Sequence, residues 1–314
     1  MSAAARRYLK LTMNIGGGIK LRIVERPGLS LSPDELAKLV ADLRKIAATS
    51  LPAEELEYGI LGGDRERAEN VIVTLMVDSR TNEPVGFNAL APMEVTLAGR
   101  PVEVLHLGLV MLSPAVRGRG LTDVLYGLTC FLLFLRGQCR PIYMSNVTQV
   151  PAVFGMVSSV FDDVWPTPER ALDSSFTHRT LARQIMERYR YVFGVGPEAQ
   201  FDEARSIILD SYTGGSDNLK KTFDEAPKHR NPIYNDMCAK ELDYKRGDDF
   251  LQMGQINMNA LRRYLSSVAT PQTAPWLAGR LAIFGIQSAI LPVVHWFSDD
   301  QPFGALRPWK RAKA

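Results

Sequence analysis

Apolar and polar positions along this chain change period several times, and each change marks an element. Residues 19–25 (IKLRIVE) alternate, which predicts a strand with one face turned inward. Ser32-Pro33-Asp34-Glu35 then opens a helix, with Ser32 placed to cap it and Glu35 completing a capping box. Leu36, Leu39, Val40, Leu43 and Ile46 follow at helical spacing on one face. A second short helix is expected from Leu51-Pro52 to about Leu61, where Gly62-Gly63-Asp64 breaks it. Val71 to Asp78 reads as a strand, turned at Thr81-Asn82-Glu83 into a second strand, Val85 to Leu97. Ala98-Gly99-Arg100 turns the chain again, into an apolar run from Pro101 to Leu112 that reads as one buried strand. Ser113-Pro114 stops it, because proline lacks the N–H that a ladder needs. After the sequence Arg117-Gly118-Arg119-Gly120 comes a strongly apolar helix, Leu121 to Arg136. A short buried strand, Pro141 to Asn146, and a helix, Val150 to Phe161, complete this part.

The rest is patterned differently. Ser174 to Tyr191 reads as a helix carrying Arg179, Arg183, Arg188 and Arg190, a solvated charged face. Residues 201–212 and 248–257 are expected to supply the last strands. The polar insertion between them, Thr213 to Lys245, suits a pocket wall or lid as well as a flexible surface. Trp276 to Phe297 is apolar and about as long as a bilayer is thick, with a tryptophan at each border. Arg280, Gln287, Pro292 and His295 argue against a span, so a helix packed on the domain or at a homodimer interface ranks first. Peripheral membrane contact ranks second. Residues 1–18, with Gly16-Gly17-Gly18, read as a flexible N-terminus.

The chemistry concentrates where the buried strand gives way to Arg117-Gly118-Arg119-Gly120. Backbone N–H groups at a helix N-terminus point outward and carry partial positive charge. Two glycines let an anion approach them closely, and two arginines add full charge. The segment is therefore a phosphate cradle. It is not a P-loop, which needs GxxxxGK[ST], nor a dinucleotide turn, since Asp123 stands where the third glycine would be.

From Val110 to Thr122 the sequence VMLSPAVRGRGLT resembles motif A of the GNAT acyltransferase superfamily, [RQ]-x-x-G-x-[GA] after a strand. Arg117 and Gly120 match; Thr122 stands where glycine or alanine is usual. The order of elements over 19–165 fits the same family. The resemblance implies an α/β (α+β) fold of GNAT type, with a mixed central sheet flanked by helices. A C-terminal extension, 166–314, would complete that sheet and shape the acceptor pocket. It further implies an N-acyltransferase that moves an acetyl or longer acyl group from acyl-CoA, or a phosphopantetheine carrier protein, to an amine. Val110, Met111 and Leu112 would pair with the pantetheine arm, and Arg117, Gly118, Arg119, Gly120, Leu121 and Thr122 would hold the diphosphate. Asn146 ends the following strand, where many members carry an asparagine. Their tyrosine acid in the next helix has no counterpart between Val147 and Pro166. A long-chain acyltransferase at the membrane surface and a domain that binds acyl-CoA without turnover stay open beside this reading.

Acyl transfer to an amine also asks for a base and an acid. His106 and Glu103 lie just upstream of the cofactor stretch and, by strand alternation, on opposite faces. His106 titrates nearest neutrality, yet a core histidine bonded to backbone explains it slightly better. Tyr143 and Tyr126 are the candidates for protonating the thiolate.

Composition narrows the field further. A net charge of +3 on 314 residues implies no nucleic-acid surface. Cys130, Cys139 and Cys238 show no metal spacing, and their odd number argues against a disulfide framework; no metal is expected, and the reducing cytoplasm is the default compartment.

Overall fold

The computed structural model describes residues 8–49, 59–170 and 174–268, with isolated positions between 279 and 290. The chain starts with an antiparallel hairpin, β1 (Lys10–Asn14) and β2 (Ile19–Glu25), turned through Gly16, Gly17 and Gly18. All three glycines have positive φ, so the triplet makes a tight turn rather than a loose lead-in. This corrects the flexible assignment for residues 10–18. Residues 1–7 lie outside the described chain.

A short turn of helix, α1 (Pro27–Ser30), leads to α2 (Pro33–Ala47), whose capping box is formed as the sequence predicts. Glu35 N–H donates to Ser32 Oγ, and Ser32 N–H donates to Glu35 Oε2 at 3.0 Å. Such a cap stabilises a helix by about 0.5–2 kcal/mol. The short helix expected to start at Leu51 falls mostly outside the described residues, and 59–62 form a single 3₁₀ turn before α3 (Arg65–Ala68). Then come β3 (Ile72–Asp78), β4 (Pro84–Leu97) and β5 (Arg100–Leu107).

The run from Pro101 to Leu112 is not one strand. It breaks at Gly108-Leu109, and β6 (Val110–Leu112) resumes against β4. On β4, Ala89 and Leu90 separate Asn88 from Ala91; on the partner, Leu107, Gly108 and Leu109 separate Val110 from His106. Three residues oppose two, which defines a β-bulge. A Cβ on Gly108 would lie 2.0 Å from the Ala89 carbonyl oxygen, so only glycine fits the close approach.

Beyond it lie α4 (Leu121–Arg136), β7 (Ile142–Thr148), α5 (Pro151–Val160), β8 (Asp162–Trp165) and α6 (Phe176–Arg188). The C-terminal part adds β9 (Gln200–Asp202), β10 (Ile207–Leu209), α7 (Pro232–Glu241), β11 (Asp249–Ile256) and α8 (Met258–Val268), the last unforeseen. The expected helix at 276–297 lies outside the described residues apart from isolated positions.

The sheet runs β1-β2-β3-β4-β5-β7-β11-β10-β9, with β6 on β4 and β8 on β11. Among the described strands β5 and β7 pair in parallel, from Val104↔Tyr143 to Leu107↔Asn146. Past that point β6 stays with β4, while Val147 and Thr148 stay with β11, so the two halves of the sheet part. One face is covered by α4, α5 and α8, which pack Leu125, Phe131, Val157 and Tyr264 over Leu21, Ile23 and Leu105. The other is covered by α2 over Val73 and Phe87, and by α6 over Val104 and Met253. The fold is a mixed central sheet flanked by helices.

Gly127 marks the contact between α4 and α8. A Cβ there would meet the Tyr264 ring at 2.1 Å. Gly127→Ala is therefore expected to destabilise the protein by about 1–3 kcal/mol despite its better helix propensity. Thermal unfolding should show a lower Tm; an unchanged or raised Tm would mean that the ring has room to move.

Candidate functional site

The bulge, the splay and the start of α4 are neighbours along the chain. β6 leads into Ser113, whose N–H donates to Val85 O at 2.9 Å, and then into one 3₁₀ turn, Pro114–Val116. Val116 is buried and pins the turn, while Arg117 to Gly120 are exposed. Gly118 and Gly120 both adopt left-handed backbone, φ +76° and +70°, and a Cβ on either would face open space. Gly120 is the N-cap of α4 and offers no side chain, so no side chain caps this helix. Outward N–H groups at a helix start behind a glycine loop have the make-up that suits an anion. Thr122 is exposed in the first helical turn, so its departure from the usual small residue costs α4 no packing.

Arg119 does not point freely at this site. Its Nη2 donates to Gly17 O at 2.6 Å, which ties the loop to the β1–β2 turn. The glycine triplet therefore braces the cradle.

A cavity of about 250 Å³ opens where the sheet parts. The β5–β6 break, from His106 to Met111, forms one wall and the end of β7, from Asn146 to Gln149, another. Tyr126 of α4, Phe193 and a group from the C-terminal half (Ser211, Tyr212, Ser216, Asp249) close it. Val110 and Met111 thus lie on both the cavity and the strand that leads to the cradle.

The candidates sort cleanly by position. Asn146 is buried in the cavity wall and donates Nδ2–H to Gln252 Oε1 at 3.1 Å. His106 is also in the wall, 2% exposed, with Nδ1 3.0 Å from Ser145 Oγ and its ring 5.1 Å from that of Phe193. Burial pulls its pKa down to about 4, so it is uncharged at neutral pH and a poor match for an amine's proton. Glu103 is exposed, does not line the cavity and lies opposite Glu94. Tyr143 is half-buried against the cluster under α6, with Val104 and Met253, and does not line the cavity either. It pairs with Val104, two residues short of the His106–Ser145 pair. Tyr126 does line the cavity, and burial raises its pKa further.

Sequence reasoning missed the most polar part of this cavity. Asp249, the first residue of β11, is 3% exposed. Ser211 Oγ–H donates to its Oδ2 at 2.6 Å, and Tyr212 O–H donates to its Oδ1 at 3.2 Å. Burial pushes its pKa up to about 7, against the lowering effect of those two donors. Asp248 beside it is held instead by Arg246 in a two-pronged ion pair, both contacts at 2.7 Å. The available signal was a pair of aspartates placed directly before an apolar strand.

No protein-family model and no curated protein matches the chain. Solved structures do. A ribosomal-protein-S5-alanine acetyltransferase from Vibrio fischeri is 10% identical over 49% of this chain and 85% of its own, with a TM-score of 0.33. A putative acetyltransferase of the GNAT family from Desulfovibrio desulfuricans is 10% identical over 76% and 98%, TM-score 0.30. A mutant AtaT toxin bound to the C-terminus of the antitoxin AtaR and acetyl-CoA is 14% identical over 24% of this chain, TM-score 0.20. The match spans about half of that toxin chain, 49%.

The depressed pKa of His106 has a consequence for stability. Unfolded, the imidazole takes up a proton near pH 6.5; folded, it does not until about pH 4. The unfolded state thus binds more protons in this window, and stability falls as pH falls through it. His106→Asn should reduce the loss of unfolding free energy between pH 7 and pH 5 by on the order of 1–2 kcal/mol. Denaturant titrations at the two pH values measure this; an equal loss in both proteins would place the imidazole in contact with water.

Proposed function

We propose that the protein is an N-acyltransferase that moves an acyl group from acyl-CoA to an amine by direct attack in a ternary complex. The observation that carries this reading is one continuous path: the outward N–H groups at the start of α4, the β6 edge, and the cavity at the splay. A phosphopantetheinyl thioester has the matching parts in the same order. Its diphosphate would sit on the N–H groups from Gly118 to Thr122. Its arm would run along β6, whose edge away from β4 pairs with no described strand, and would add to the sheet as a further strand does. Its thioester would then reach the break at Gly108-Leu109, which falls outside the strands and whose main-chain N–H groups would serve an oxyanion.

The cavity near the thioester end lies near the lower end of the size range for ligand sites, which favours a small acyl group and a compact acceptor. That observation ranks this reading above a long-chain acyltransferase acting at the membrane surface. Arg117, exposed at the loop, supplies charge for the phosphates. Asn146, fixed by Gln252, lies where the arm would leave the sheet.

Thr122→Glu tests the diphosphate site without backbone strain, since position 122 is exposed and helical. A carboxylate in the first turn suits the helix dipole, so Tm should hold or rise slightly. Calorimetric affinity for coenzyme A should nevertheless fall at least tenfold, about 1.4 kcal/mol. Unchanged affinity would remove the cradle from the cofactor site.

A further inference from the structure

On the acyltransferase reading above, the cavity needs a group that can take a proton from the acceptor, and the wall contributed by the C-terminal half holds one. We propose that Asp249 is this base, and that the acceptor is therefore a small primary amine that enters as the ammonium ion and docks against the carboxylate.

The argument rests on how Asp249 is held. A general base changes charge during each turnover, so its surroundings must satisfy it in both states. Ionised, Asp249 accepts from Ser211 Oγ–H at 2.6 Å and from Tyr212 O–H at 3.2 Å. Protonated, it needs an acceptor, and the same Tyr212 oxygen can serve if its own proton goes elsewhere. That second place exists. Gln149, with its amide N–H donating to Lys221 O at 3.1 Å and its oxygen accepting from Lys221 N–H at 2.8 Å, accepts from Tyr212 O–H at 2.6 Å. A single rotation of one hydroxyl proton thus switches Tyr212 between donor and acceptor towards the carboxyl. A carboxylate kept only for structure needs no such arrangement, and the adjacent Asp248 shows the contrast. It is clamped by Arg246 and by the N–H groups of Asp210 and Asp243, all of them donors, with no acceptor among them.

Two other titratable groups that line the cavity are poorly suited to the role. His106 is uncharged and buried in the opposite wall, and Tyr126 is held protonated by burial. Tyr244 donates its hydroxyl proton to Gln149 O at 2.7 Å. Lys221 lines the same cavity, and Asp248, ion-paired, adds to the upward push on Asp249.

In the reaction, Asp249 removes one proton from R–NH₃⁺ and the freed lone pair attacks the thioester carbonyl. The N–C bond forms and the C–S bond breaks, with the electron pair leaving on sulfur. The second proton of the nitrogen ends on that sulfur as the thiol, and Asp249 returns its proton to solvent.

The test uses the full-length protein, acetyl-CoA, and a panel of small primary amines: an amino-acid amide, an amino sugar and a diamine, with thiol release as the readout. Wild type should acylate at least one of them, with an inflection in kcat/KM near pH 7. Asp249→Asn should lose about 10²-fold or more in kcat/KM at pH 7 and lose that inflection, while coenzyme A affinity stays within twofold. Tyr212→Phe, which removes a donor to the charged form, should move the inflection to higher pH; it decides the matter if Asp249→Asn does not fold. Wild-type rates and pH profile in Asp249→Asn would overturn the base, as would an unmoved inflection in Tyr212→Phe. Acetyl-CoA binding with no acylation across the panel would overturn the acceptor class. Absence of coenzyme A binding to wild type would overturn the acyltransferase reading itself.

Discussion

Between Asn88 and Ala91 the backbone of β4 has two residues, and the chain facing it has three. The ladder can absorb the extra residue only by a bulge, and the bulge can close only if its middle residue lacks a Cβ, because Ala89 O occupies that space. Much else follows from this geometric mismatch. β5 is in register with β7 up to Leu107, whereas β6 is turned away from it. A parallel pair that would otherwise continue is ended from one side, and the cavity opens there. The cavity there is lined by apolar side chains, Val110 and Met111, and by polar ones, Asn146, Ser211 and Asp249.

The anion site depends on the same segment, because β6 is only three residues long and delivers the chain directly to the turn before α4. The helix behind it is strongly apolar and buried along most of its length, which fixes its axis against the sheet. A set of N–H groups held by a helix packed in this way would lose little entropy on meeting an anion. The tie from Arg119 to Gly17 extends this brace to the N-terminal hairpin. It also changes the electrostatics: one of the two loop arginines serves structure first, and the cradle relies more on main-chain dipoles than the count of cations suggests.

Local patterns were legible where the forces are local. The cap at Ser32 and Glu35, the strand ends at Asp78 and Leu97, and the glycine loop before Leu121 all depend on neighbours within a few residues. The bulge was half-legible: Gly108 stands out inside an apolar run, but its role requires knowing how many residues oppose it on β4. The first strand was hidden because Lys10–Asn14 is short and mostly half-exposed, and gains its place only from pairing with β2. Glu103 and Tyr143 looked promising because they are near His106 and Asn146 in sequence; Glu103 is on the face opposite His106, and Tyr143 pairs with Val104 before the opening is reached. His106 reached the right wall, but burial removed the basicity for which it had been considered.

The part of the site that could not be read is the part built by long-range pairing. β11 enters the sheet between β7 and β10, about a hundred residues after β7, and runs antiparallel to it. That direction matters. Because β5 and β7 end at the opening, an antiparallel strand beside them must begin there, so its first residue is delivered to the cavity. The first residue is Asp249, and Ser211 and Tyr212, which follow β10, reach the same end for the same reason. The topology therefore places acidic and hydroxyl groups at the cavity whatever their distance in sequence. It also explains why their surroundings are tight: strand ends held in register on both sides leave a carboxyl little freedom to reach water. A group held so is costly to charge, and the three-way contact of Tyr212 with Gln149 and Asp249 offsets that cost in either state. The depth that makes Asp249 invisible from sequence is thus the same burial that raises its pKa.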